Sequence, residues 1–184
     1  AKAGRWNSFG PGKIPERQHC LRRRALRQIN ATWMKRMAPS NPLDAATEMG
    51  PLTSALHRDR VLSYCKVARE EGGEIITGGK APSDAALSKG CYIEPTIVRA
   101  KSTDRVAQEE VFGPFVTVTT FKTDEEAMAI ANGTQYGLGG GLWTKDLTRA
   151  HRFAAGMRSG MVWINCYKRV NPAFQRTLGF TEQE

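Results

Sequence analysis

The sequence predicts an α/β fold built on a mostly parallel sheet flanked by helices. Three observations carry that expectation. Runs rich in β-branched and aromatic residues, such as FVTVTTF (115–121), alternate with segments whose apolar residues recur every three or four positions. The helical segments open on capping residues and close on glycine. From residue 115 the order is strand, helix, strand, helix, strand, which calls for crossover connections between parallel strands.

Taken in order, residues 1–40 give little. Gly4, Gly10, Pro11, Gly12 and Pro15 break any early element. A helix over 22–36 has few apolar positions and no clear stripe, so a boundary falls near Pro39. NPLDAATEMGP (41–51) is loop chemistry, and Ser54 caps the helix that follows. In that helix Val61, Leu62, Cys65 and Ala68 form the apolar stripe, and Gly72 and Gly73 end it. EIIT (74–77) is a short strand, residues 78–90 are loop, and CYIEPTIV (91–98) is extended, with Pro95 marking an edge or a bend. After the strand at 115–121, Thr123 and Glu126 fit a capping box, and Gly133 terminates the helix. GLWT (141–144) is the next strand. A helix starts near Asp146, where Leu147, Ala150, Ala154 and Met157 repeat at three and four, and stops at Gly160. MVWIN (161–165), nearly all apolar, is expected at a buried sheet position.

Bulk properties exclude several function classes. The 184 residues are 40% hydrophobic and 24% charged, ordinary for a globular chain, and no apolar run approaches the roughly 18 residues of a membrane helix. Lys2 and Arg5 have no apolar stretch behind them, so the reading includes no signal peptide and a cytoplasmic location. Four cysteines, at 20, 65, 91 and 166, form no CxxC, and no histidine lies at metal-ligand spacing from them. No metal site and no disulfide framework are expected, and Cys65 reads as a small buried hydrophobe. The net charge of +9 is confined to residues 1–36, which hold ten Lys or Arg and one acid; residues 37–184 balance. A basic arm binds phosphates without sequence preference, but no nucleic-acid motif accompanies it, which argues against such a partner.

Two glycine- or acid-rich stretches invite a functional reading. YGLGGGLW (136–143) has phosphate-loop composition in the wrong context, since its glycines follow a helix and enter a strand. Their expected job is close backbone approach. QEEVFGPFV (108–116) sets two carboxylates before an aromatic, a glycine and a proline. That arrangement suits holding a diol beside a flat heterocycle, because an ionised carboxylate only accepts and a diol offers two donors. It also suits a plain surface turn.

QEEVFGP, the strand after it, NGTQYGLGGGLWT and DLTRAHRFAAGMRSGMVWIN, preceded by NPLD, EMGPL, EEGG, ITGG and GCYIEPTIV, together resemble the aldehyde dehydrogenase superfamily over residues 41–172. The details NPLDAATEMGPL and WINCYKRVNP look most like members acting on bacterial muconic-type semialdehydes. The resemblance implies the catalytic-domain part of that fold and NAD(P)-dependent oxidation of an aldehyde to a carboxylic acid. A thiolate attacks the aldehyde, the thiohemiacetal gives up hydride to NAD or NADP, and water releases the acid. It implies that Glu110 accepts hydrogen bonds from the nicotinamide ribose and that Phe112 packs near the nicotinamide, leaving Glu109 to the local fold. It also implies homo-oligomers.

The family's nucleophile motif is partly kept in RQHC (17–20), with Arg17 where the family has glycine. Cys20 as nucleophile and a chance QxC both stay open at this point. Residues 1–40 and 173–184 match nothing in the pattern, which reads as truncation or a frame shift at both ends. The alternatives are a non-enzymatic fragment or subunit-pairing module, and a basic-arm nucleic-acid binder.

Overall fold

The computed structural model describes residues 18–20 and 37–166. The expected helix over 22–36, the basic segment apart from residues 18–20, and the 173–184 tail lie outside them. The described residues fall into two compact units, one within Ser8–Lys122 and one from Thr123 onward.

The first unit is a four-stranded sheet with helices packed on it. Its elements are β1 (Gln18–Cys20), α1 (Ala55–Glu70), β2 (Glu74–Thr77), a single 3₁₀ turn at Ala85–Leu87, β3 (Thr96–Arg99), α2 (Arg105–Gln108) and β4 (Phe115–Thr119). The spatial order is β1-β4-β3-β2. β1 and β3 both run parallel to β4, with Gln18 opposite Thr117 and Thr96 opposite Phe115, while β2 is antiparallel to β3. The mostly parallel sheet is thus as expected, with one antiparallel edge.

Helix α1 begins where a side chain can satisfy its first free amides. Ser54 Oγ accepts from the His57 amide at 3.1 Å. The helix ends on Gly72, whose φ of +80° suits glycine. Its inward face is Val61, Cys65 and Ala68, three residues at helical spacing and all essentially inaccessible to water. They join Leu52, Ile93, Val98, Ala100, Val106, Val111 and Phe115 in one apolar core. The opposite sheet face buries Ile97 and Val118 against Ile76 and Val116. Successive residues of β2, β3 and β4 therefore serve opposite faces, as strand geometry requires.

Within the run 91–98 read as extended, ladder pairing starts only at Thr96, directly after Pro95, which has no amide to give a ladder. The four-residue α2 was not foreseen, being too short to leave a periodic trace.

Cys65 behaves as a buried hydrophobe. It is 1% exposed, its Sγ lies 3.7 Å from the Val61 carbonyl, and burial pushes its thiol pKa up. Cys91 and Cys166 are half-buried. In native protein, a disulfide reagent followed by peptide mass mapping is expected to label Cys91 and Cys166 while sparing Cys65 until the chain unfolds.

The second unit contains α3 (Asp124–Ala131), β5 (Gly139–Leu142), α4 (Leu147–Gly156) and β6 (Met161–Ile164). Thr123 Oγ1 accepts from the Glu126 amide, the cap expected at Thr123, and Asp146 Oδ1 accepts from the Arg149 amide at 2.9 Å, capping the helix expected to start near it. Asp124, at the positive end of α3, receives Arg149 Nε at 2.8 Å and also Arg152 from α4. Asn132 ties the helix ends together, donating to the Gly156 carbonyl and accepting from the Arg158 amide, each at 2.8 Å.

β5 and β6 pair in parallel, Gly139 opposite Met161 and Leu142 opposite Ile164. The pairing is extended past the strands by a side chain. Asn165, at φ +53°, accepts from the Thr144 amide at 2.9 Å and donates to its carbonyl at 2.8 Å. The glycines of β5 do what their context implied. A Cβ at Gly139 would sit 2.9 Å from the Trp163 ring, and one at Gly140 2.6 Å from Met157 Cε. β5 itself lies two residues earlier than expected, because a run of glycines carries no alternation to fix its ends. β6 is a correction of another kind: only Trp163 is buried, and its other residues are half-exposed. Among the described residues β6 has a single neighbouring strand, made largely of glycine, and its faces are thinly covered there.

Candidate functional site

The segment from Glu109 to Pro114 links α2 to β4 and is held from one side by α1. Burial alternates along it: Glu110 is half-buried, Val111 buried, Phe112 exposed and Gly113 buried. Val111 enters the core and anchors the segment, while Phe112 beside it is exposed.

Glu109 has local partners. Arg105 Nε and Nη2 reach its two oxygens at 2.9 and 3.2 Å, and the Tyr64 hydroxyl donates to Oε2 at 2.9 Å. The hydrogen bonds from Arg105 and then Tyr64 hold the Glu109 carboxyl below the usual glutamate value. Tyr64 is shifted upward, first by burial and then by its bond to Glu109. This carboxylate ties α1, α2 and the turn together, the local role expected of Glu109.

The sign of the pH effect follows. A depressed carboxyl pKa adds stability above the unfolded value of about 4.3, and that contribution is lost as pH falls through the lower folded value. Glu109→Gln should therefore lower the urea midpoint at pH 7 and converge on wild type near pH 3. A constant difference across that range would contradict the assignment.

Phe112 has φ +52°, a conformation that costs a residue with a side chain about 1–2 kcal/mol. Its ring is 52% exposed although it is a large apolar group. Its carbonyl is bonded to His57 Nε2 on the first turn of α1. The next residue is pressed on the same helix: a Cβ at Gly113 would lie 2.6 Å from Val61 Cγ2. The site thus consists of a carboxylate and an outward ring, two positions apart, on a turn clamped to a helix. Such a pair offers acceptors to hydroxyls and a flat apolar face to a heterocycle.

Glu110 and Phe112 lie on the same turn, and the Cys20 backbone lies elsewhere on the sheet. The Cys20 backbone pairs with Thr119, at the far end of β4 from the turn. Phe115 and Thr119 are four residue steps apart along the strand, about 13 Å. His57 and Tyr64 were not anticipated. Each meets the turn across a long stretch of sequence, 55 residues for His57 to Phe112 and 45 for Tyr64 to Glu109. Their spacing of seven on one helix was the only signal available. Among the described residues no group of three His, Cys, Asp or Glu could hold a metal ion, and no helix is long and apolar enough to cross a membrane.

Parallel strands entered through this turn define the class, a segment of an α/β domain. Comparison supplies the family: residues 22–182 match the aldehyde dehydrogenase family, and the chain belongs to it. It is 48% identical to an acetaldehyde dehydrogenase of Pseudomonas aeruginosa over 128 residues, 69% of this chain and 25% of that protein. Among solved structures it resembles PnpE from Pseudomonas sp. WBC-3, with 57% identity and a TM-score of 0.79 over 84% of this chain and 32% of that one. PnpE has also been solved in complex with nicotinamide adenine dinucleotide. A betaine aldehyde dehydrogenase of Staphylococcus aureus in complex with NAD+ is similar at 38% identity and a TM-score of 0.79, over 83% of this chain and 32% of that one. The chain therefore spans about a quarter to a third of the length of these relatives.

Proposed function

We propose that this chain is part of the catalytic domain of an NAD(P)-dependent enzyme that oxidises an aldehyde to a carboxylic acid. Its own contribution is to hold the nicotinamide end of the cofactor. The observation that carries the reading is the pairing of Glu110 with the exposed, left-handed Phe112 on a clamped turn. The donor set fits the group: a carboxylate can accept from both ribose hydroxyls, and a half-exposed ring gives the nicotinamide an apolar wall. When bound, the cofactor supplies the hydride acceptor. Glu110 fixes the ribose, Phe112 keeps water from one side of the heterocycle, and Arg105, Tyr64 and His57 hold the turn that carries both. The complexes of PnpE and of the betaine aldehyde dehydrogenase with the dinucleotide support this reading.

Binding is the activity assigned to this chain by itself, without turnover. Cys65 is sealed in α1, and the Cys20 backbone stands at the other end of β4. Homo-oligomerisation belongs to the same reading of the whole enzyme. The test is saturation-transfer NMR on the 184-residue chain with the two halves of the dinucleotide. Nicotinamide mononucleotide should show transfer to its ribose and ring protons, and adenosine monophosphate should not. Equal transfer to both, or none to the mononucleotide, refutes the assignment.

A further inference from the structure

Helix α1 does more than cover the sheet. His57, Val61 and Tyr64 stand at spacings of four and three, so they share one helix face. Each addresses a different residue of the turn. Tyr64 donates to Glu109, Val61 packs where a Cβ on Gly113 would collide, and His57 Nε2 meets the Phe112 carbonyl. Glu110 lies between the first and the last of these holds.

We propose that His57 is a positioning residue: its Nε2–H donates to the Phe112 carbonyl and holds that residue left-handed, aiming the ring away from the core. A carbonyl can only accept, so the bonded nitrogen carries the proton. Phe112 has no intrinsic reason to adopt φ +52°, because the conformation is disfavoured for any residue with a Cβ. Strained residues persist where their surroundings over-determine them. The turn supplies two such constraints on consecutive residues, the imidazole on the 112 carbonyl and Val61 against Gly113. His57 is itself half-buried at the start of α1, and its own amide is fixed by the Ser54 cap, so the ring projects from a rigid base. The geometry stands without any ligand; only its consequence for binding rests on the nicotinamide reading.

The test uses the full 184-residue chain, isotope-labelled, as wild type, His57→Leu and His57→Gln. The leucine variant removes the donor, and the glutamine variant restores an amide N–H of similar reach. In His57→Leu the Phe112 carbonyl resonance should move and its backbone coupling should leave the left-handed value. Affinity for nicotinamide mononucleotide should fall about three- to tenfold, in line with one lost hydrogen bond. His57→Gln should recover the resonance and bring affinity to within about twofold of wild type, a rescue that bulk filling by leucine does not provide.

A Phe112 carbonyl signal unchanged in His57→Leu, with the rest of the spectrum native, overturns the inference. If the leucine variant does not fold, the wild-type imidazole decides. An Nε2 proton protected from water exchange supports the bond, and one exchanging like free histidine overturns it. A wild-type chain that keeps the Phe112 signature but fails to bind the mononucleotide refutes the proposed function and leaves this inference standing.

Discussion

Ile93→Ala is expected to destabilise the Ser8–Lys122 unit by about 2–5 kcal/mol. Ile93 is 1% exposed and heads the largest fully buried side chains. It reaches the core from an irregular segment, and that segment is fastened on both sides. The Cys91 carbonyl accepts from the Leu52 amide, and the Glu94 amide donates to the Lys80 carbonyl, each at 2.9 Å. Backbone held at two points so close together cannot sink into the space a missing side chain leaves. The cavity persists, and the cost falls in the upper part of the range. Leu56, 82% exposed on α1, is the matched control, and its truncation should stay within about 0.5 kcal/mol. Urea unfolding of the two variants measures the difference, and equal midpoints would show that Ile93 does not organise this core.

Glu110→Gln should weaken nicotinamide mononucleotide binding about ten- to a hundredfold. Shape is kept, while the charge that would strengthen both ribose hydrogen bonds in the proposed binding mode is lost. Hydrogen bonds to charged groups contribute about 1.5–3 kcal/mol, and about 1.4 kcal/mol is a factor of ten in affinity. Glu70→Gln removes one negative charge from an exposed position of α1 and serves as the control for net charge. Isothermal titration or NMR line-shape analysis gives the constants. Similar affinities for the two variants would mean that the carboxylate at 110 does not meet the ribose.

How legible each part was depended on the range of the interaction behind it. Ser54 and Thr123 were readable as caps because a cap is satisfied within three residues of itself. The role of Gly139 and Gly140 was readable from composition, since three glycines entering a strand leave room for something large, here Trp163 and Met157. The bounds of β5 were not, because glycine shows no inward and outward preference. The thin cover on β6 was missed because an apolar run records only preference for burial, and that preference is met according to what the topology puts beside the strand. The motif made Glu110 and Phe112 visible. What holds them was invisible, since the bonds from Tyr64 and His57 exist only once α1 is laid on the sheet.

The all-glycine stretch of β5 bears on how this protein breathes. Glycine gives up more backbone freedom on ordering than any other residue, by about 0.5–1 kcal/mol relative to alanine at each position in a strand. Three in succession, Gly139 to Gly141, join a ribbon that has two strands among the described residues, whereas the ladder through β3 has neighbours on both sides and buries Ile97 and Val98. Local opening begins where the fewest contacts oppose the entropy regained. The Gly139–Leu142 ribbon is thus where local opening of the native state is expected to begin, ahead of the core around Ile93.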